Sequence, residues 1–278
     1  MKMTQPTQST QQTQQTLQTQ KTQGTPRPSP KVLAAIPCFN EQQFIADVVT
    51  RARKYVDRVI VIDDGSTDDT AKVARAAGAE VIKHETRKGA GAATRTGFQA
   101  AKRSNANILV TLDGDGQHNP DDIPQLLAPI RSNEADLVIG SRFLPPKQSA
   151  VSSPQSTANT PDSGLRTLNS QLGTNIPRYR KFGIDVITWL YNLGSEVKVS
   201  DSQSCFRAHS RRLIDAINIT EDGFGFSVQV LIQARRKGFA IKEVPISCLY
   251  HPQGSTINPV VHGLGVAFTV IKLRLLRR

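Results

Sequence analysis

Cysteine is scarce. Cys38, Cys205 and Cys248 are the only three in 278 residues and lie far apart. That excludes a disulfide framework and any cysteine-based metal site, and it suits a reducing compartment. No apolar run reaches the roughly 18 residues of a bilayer-spanning helix, and no apolar signal core stands near the first residue. Aromatic residues make up 5% of the chain and are not interleaved with the basic ones, which ranks nucleic acid last among partners. Acidic residues are also short: 23 Asp and Glu face 35 Lys and Arg, a net charge of +12. An anionic membrane surface and phosphate-bearing substrates are the partners this excess fits, beside plain solubility.

What is present falls into blocks. Residues 1–30 are almost all Thr, Gln, Ser and Pro, a composition that buries too little apolar surface to fold. A stretch of the same flavour at about 145–176 reads as an insertion on one face of a domain spanning 31–259, and 260–278 as a basic amphipathic helix. Within the domain, apolar runs alternate with helical periodicity. Strands are expected at Val32–Ile36, Val59–Asp63, Glu80–His84, Ile108–Leu112, Asp136–Gly140 and Glu243–Leu249. Helices are expected over Glu41–Val56, Thr67–Gly78, Ala90–Arg103, a segment opened by Pro124, Phe182–Leu193, Arg211–Ile217 and Gly225–Lys237. That alternation predicts an α/β fold with a mostly parallel sheet covered by helices on both faces.

Two acidic motifs end successive strands. Asp63-Asp64-Gly65-Ser66-Thr67-Asp68 closes one, where a carboxylate can accept from ribose hydroxyls or a base N–H. Ser66, Thr67 or Asp68 can also cap the following helix. Asp113-Gly114-Asp115-Gly116-Gln117-His118 closes another. Its carboxylates two residues apart, with an amide oxygen in the same turn, suit Mg²⁺ or Mn²⁺ rather than zinc. An EF-hand loop would need a later glutamate that is missing, and His118 reads as structural rather than as a ligand.

In order along the chain, Ile36-Pro37-Cys38-Phe39-Asn40-Glu41, Val61-Ile62-Asp63-Asp64-Gly65-Ser66-Thr67-Asp68, Lys88-Gly89-Ala90-Gly91, Leu112 to His118, Asp136 to Phe143 and Val199 to Arg207 resemble family 2 glycosyltransferases. The likeness is to the dolichol-phosphate mannose synthase type, over about 31–265 without the insertion. The resemblance implies a GT-A fold, Rossmann-like, for nucleotide-diphospho-sugar transfer. It implies that Pro37, Phe39, Glu41, Ile62 and Asp64 line base and ribose, and that Asp113, Gly114, Asp115 and Gln117 hold metal and diphosphate. Asp113, Asp115 and Gln117 are the implied metal ligands. Arg142 would reach a phosphate, and Arg207 and His251 would contact the donor. Arg178, Arg180 and Lys181 would bind an acceptor phosphate. In similar synthases the loop after the Glu-Val-Pro-Ile strand is basic; here it reads Tyr250 to Thr256, with His251 its one ionisable base.

The implied reaction is an inverting, metal-assisted transfer of one hexose from GDP-mannose, UDP-glucose or UDP-N-acetylglucosamine to a polyprenyl or dolichyl phosphate. The catalytic residues would be Asp115, Arg142 and Asp222. Asp222, in Thr220-Glu221-Asp222, would act as general base for a hydroxyl acceptor or orient a phosphate, unless it only caps the helix from Gly225. The Gln-x-x-Arg-Trp signature of processive enzymes is absent. The expected setting is cytoplasmic and peripheral, on a membrane surface or beside a small membrane partner. The alternatives are a glycan hydroxyl as acceptor, a nucleotidyltransferase (which would need a Gly-rich basic loop after the first strand) and a sugar-nucleotide-binding scaffold.

Overall fold

The computed structural model describes residues 31–145, 178–249, 266 and 268–273, with the main chain alone at 178–180. The expectations for 1–30, for the 145–176 insertion beyond Pro145 and for His251 lie outside the described residues.

Among the described residues seven strands form one sheet, ordered β3-β2-β1-β4-β6-β5-β7. The strands are β1 (Val32–Cys38), β2 (Arg58–Asp63), β3 (Glu80–Lys83), β4 (Ile108–Thr111), β5 (Leu137–Ser141), β6 (Arg207–Ser210) and β7 (Ile241–Pro245). Every pairing is parallel except those of β6, which runs antiparallel to both β4 and β5. β1 is buried along nearly its whole length, as a strand covered on both faces must be. Alternate residues feed opposite layers. Val32, Ala34 and Ile36 pack with α1 (Ile45–Ala52), α2 (Thr70–Ala76) and α4 (Ile123–Arg131). Leu33 and Ala35 pack with α3 (Ala90–Arg103), α5 (Arg178–Asn192), α6 (Arg211–Ala216) and α7 (Phe226–Arg236).

The sequence-derived elements differ from these mainly at their ends. The expected Glu243–Leu249 strand starts earlier, at Ile241, and stops at Pro245, leaving an isolated bridge between Cys248 and His118. β6 was not anticipated.

The strand order places the site. β1 is flanked by β2 on one side and β4 on the other, so the connections from β1 and β4 depart in opposite directions. The crevice between their C-terminal ends is the topological switch point where open α/β sheets bind ligands. Cys38 lies level with Asp63, and the chain leaving β4 carries the Asp113–Asp115 loop past the end of β1.

Candidate active site

The wall beyond β1 is held by hydrogen bonds from the β2 loop. Asn40 N–H donates to Ser66 Oγ (2.9 Å), Glu41 N–H to Thr70 Oγ1 (2.8 Å) and Gln42 N–H to Asp68 (3.2 Å), while Thr67 N–H donates to Asn40 Oδ1 (2.9 Å). Ser66, Thr67 and Asp68 therefore clamp the neighbouring loop, and Asp68 also accepts from the N–H of Thr70 (3.0 Å), the first residue of α2, as the capping alternative expects. The clamp sets Glu41 facing the acidic loop across the crevice. Pro37 and Phe39 are half-buried, and the Arg87 guanidinium lies 4.0 Å over the Phe39 ring.

The floor is the β4 loop. A Cβ at Gly114 would overlap Cys38 Sγ, so only glycine lets this loop approach β1 so closely. Asp115 accepts from Gln117 N–H at 3.0 Å, which folds the metal motif into a tight turn. Burial, the Asp115 charge, the Asp113 charge and Asp68 push Glu41 up to about 7, and burial with Asp115 pushes Asp113 up to about 7. His118 is buried against Phe206, and burial with the Arg142 charge lowers it to about 3, so it stays neutral. Asp113 N–H points at His118 Nδ1 (3.4 Å). His118 is a support for the loop, as expected of it.

Glu41 offers a test of sign. A carboxyl raised in the folded state stabilises it below the unfolded value and loses that contribution as pH climbs through about 7. Without divalent cation, Glu41→Gln is therefore expected to raise the melting temperature at pH 8 and by far less at pH 5, near the unfolded value. An equal shift at both pH values would show that Glu41 is not held in this repulsive field.

Does this donor set fit a cation? Among the described residues no group of three or more His, Cys, Asp and Glu side chains stands close enough to hold a metal alone. The oxygens of Asp113 and Asp115 nevertheless face a field negative enough to raise their neighbours' pKa values. A hard divalent cation that keeps waters and takes substrate phosphate oxygens matches a site with few protein ligands.

The opposite wall follows β5. Arg142 is held by a two-pronged contact with Asp201, Nε to Oδ2 at 2.7 Å and a terminal nitrogen to Oδ1 at 2.8 Å. Asp201 is wholly buried. Its N–H and that of Ser200 donate to the two oxygens of Glu243 on β7 (3.0 and 2.7 Å). The Arg142 charge reaches Asp113 and opposes its rise. Lys181, on the first turn of α5, pairs with Asp185 (2.8 Å) and lies 5.2 Å over the ring of Phe143, next to Arg142. Arg178 and Arg180 occupy the same turn, and their side chains lie outside the described atoms.

Asp222 is tied to α3. Its carbonyl accepts from Gly91 N–H (2.7 Å) and its exposed carboxylate pairs with Arg95 (2.8 Å). A Cβ at Gly91 would overlap the Glu221 carbonyl, which explains the glycine. Gln229 fixes the segment by accepting from Thr220 and Glu221 N–H (2.9 and 3.2 Å). No side chain caps α7 at Gly225, so the capping alternative for Asp222 does not hold.

Three of the residues expected at the donor are buried. Ile62 is sealed in the layer beneath α3. Asp64 is buried, with its oxygens accepting from His84 (2.8 Å), Lys88 N–H (2.9 Å) and Gly89 N–H (2.7 Å), and it shapes the loop before α3. Arg207 is 2% exposed, and its terminal nitrogens donate to the carbonyls of Ser227 and Ser202. It is a buried support, because β6 turns it inward. Asp201, Glu243, His84 and Gln229 carry site architecture that no motif reading had assigned. Asp201 and Glu243 did lie inside quoted segments, and the acidity of Glu243 amid strand residues was an available signal.

The family model described as glycosyl transferase family 2 matches residues 34–191. The chain belongs to glycosyl transferase family 2. It is 32% identical over 235 residues to the UDP-N-acetylglucosamine--dolichyl-phosphate N-acetylglucosaminyltransferase of Methanococcus voltae, covering 77% of this chain and 84% of that one. It is 31% identical to the undecaprenyl-phosphate mannosyltransferase of Micrococcus luteus, covering 81% and 86%. The crystal structure of Mycobacterium tuberculosis glucosyl-3-phosphoglycerate synthase with Mg²⁺ and UDP superposes at a TM-score of 0.58 with 22% identity, covering 88% and 79%. The protein is a glycosyltransferase with a GT-A-like fold.

Proposed function

We propose that this glycosyltransferase moves one hexose from a nucleotide-diphospho-sugar to a polyprenyl phosphate, with inversion, while seated peripherally at the cytoplasmic face of a membrane. The observation that carries the reading is the crevice itself. Three carboxylates, Glu41, Asp113 and Asp115, converge on one side, and Arg142 and Lys181 stand on the other. Relatives named for polyprenyl-phosphate transfer at 31–32% identity support the acceptor.

Asp113, Asp115 and Gln117 would hold Mg²⁺ or Mn²⁺. A cation held there would neutralise charge developing on the departing diphosphate. Pro37 and Phe39, with Arg87 on the ring, form the wall for the nucleoside. Arg142, fixed by Asp201, presents positive charge to the phosphates where it is pre-organised. Lys181, with Arg178 and Arg180 of the same turn, binds the acceptor phosphate and aligns its oxygen with the anomeric carbon. A phosphate is ionised at neutral pH and attacks without a base. That agrees with Asp222 having its carboxylate engaged by Arg95, and its part is to fix the acceptor loop against α3.

The test incubates purified protein with Mn²⁺, a polyprenyl phosphate and, separately, labelled GDP-mannose, UDP-glucose and UDP-N-acetylglucosamine. Label is expected in the lipid fraction with one donor. Label entering a glycan acceptor and never the lipid would overturn the proposal.

A further inference from the structure

α5 is the one described helix whose outward face reads as a core face. Phe182, Val186 and Trp189 recur at helical spacing and are 70%, 38% and 61% exposed. The opposite face of the helix is properly buried through Ile187, Thr188 and Tyr191. Beside it, the helical residues 266 and 268–273 dock Val266 and Val270 onto Ile187 and Val228. Their other side turns Phe268 (68% exposed) and Ile271 (46% exposed) to solvent. Soluble surfaces scatter such residues singly; an aligned group of large apolar side chains marks an interaction site.

We infer that the outward face of α5, together with Phe268 and Ile271, is the surface by which this protein seats itself on an anionic lipid bilayer. The inference rests on the polyprenyl-phosphate reading above and adds to it the part of the fold that meets the membrane.

Charge selects the occupant. The stripe starts beside Lys181, the second segment carries exposed Lys272, and the sequence runs on through Arg274, Arg277 and Arg278. A basic rim around aromatic and aliphatic side chains is the pattern of a helix lying in a lipid interface. A second copy of a chain at +12 would bring like charge against like, whereas anionic headgroups reverse the sign. Geometry agrees as well. The turn of α5 that begins the stripe holds Lys181 over Phe143, beside Arg142. Seating the stripe in the headgroup layer therefore brings a lipid phosphate level with the cationic wall of the crevice. Of the C-terminal run, which by sequence suits a membrane surface and a docked terminal helix equally, the described residues dock Val266 and Val270 and supply the flank of this surface.

Trp189 is the sole tryptophan, so the native protein reports on itself. Its emission is expected to shift to the blue, with co-sedimentation, on vesicles of phosphatidylcholine containing phosphatidylglycerol, weakly on phosphatidylcholine alone, and less at high salt. Phe182→Asp and Val186→Asp, each at an exposed position, are expected to lower vesicle affinity roughly tenfold or more. Both should keep transfer to a short-chain, water-soluble prenyl phosphate, which also reports that they fold. The surface assignment is overturned if Trp189 emission ignores anionic vesicles, or if it shifts with protein concentration alone as a dimer forms. The two proposals fail separately. Transfer to the short prenyl phosphate without vesicle binding removes only the surface, and vesicle insertion by a protein that labels no prenyl phosphate removes only the acceptor.

Discussion

Asp115→Ala is expected to lower sugar transfer about a thousandfold at saturating donor and cation, the scale seen when a group stabilising transition-state charge is removed. The physical reason is the poverty of the donor set. With no group of three acidic, His or Cys side chains among the described residues placed to hold a metal alone, each carboxylate would be a large share of what the protein offers a cation. Asp115 also accepts from Gln117 N–H, so its loss loosens the turn that presents the amide. Initial rates measure the first effect. Paramagnetic Mn²⁺ titration in the presence of nucleoside diphosphate measures the second, independent of turnover, and should show weaker binding. Retention of more than a tenth of the rate would remove Asp115 from the reaction.

The second large effect falls on stability. Burial would raise the Asp201 carboxyl, but the Arg142 charge and hydrogen bonds outweigh it and hold Asp201 below the usual carboxylate range. Asp201→Ala leaves Arg142 in its largely buried position without its partner, which is expected to destabilise by about 3–5 kcal/mol, roughly 10 °C in melting temperature. Asp201→Ala combined with Arg142→Met is expected to recover much of that loss, because a buried pair removed whole is replaced by apolar contact. Transfer should stay low in the double variant, since the cation facing Asp113 is gone. Calorimetry on the two variants, beside their rates, separates scaffold from chemistry. Full activity in the double variant would show that Arg142 serves only the fold.

Much of the architecture was legible because it follows from apolar pattern. Val32–Cys38 and Val59–Asp63 are nearly continuous buried runs, the second ended by an acid-rich turn, and α3 was bounded correctly as Ala90–Arg103. β6 was not legible, since Arg-Ala-His-Ser carries no hydropathic signature of a strand. It is a strand because Arg207 and His209 find carbonyl partners at Ser227, Ser202 and Leu109, and those contacts are tertiary. The site divides in the same way. The Asp113–Gln117 turn could be read from composition alone. The inward fate of Ile62, Asp64 and Arg207 depended on which side of a strand faces a helix layer, and motif matching does not report it. Asp201 escaped notice as a support because its partner lies 59 residues earlier in the chain.

The Asp222 carbonyl sits where α3 would otherwise be open to solvent, occupied by the amides of Gly91 and Ala92. Many nucleotide-binding folds leave such a pole vacant, so that the helix dipole greets a pyrophosphate. Here the pole is stoppered by the protein itself, and Gly89 N–H is likewise committed to Asp64. Under the proposed function, a pyrophosphate would draw its countercharge from a divalent ion and Arg142 instead. Depleting divalent ions would then strip this protein of a compensation that its backbone no longer supplies.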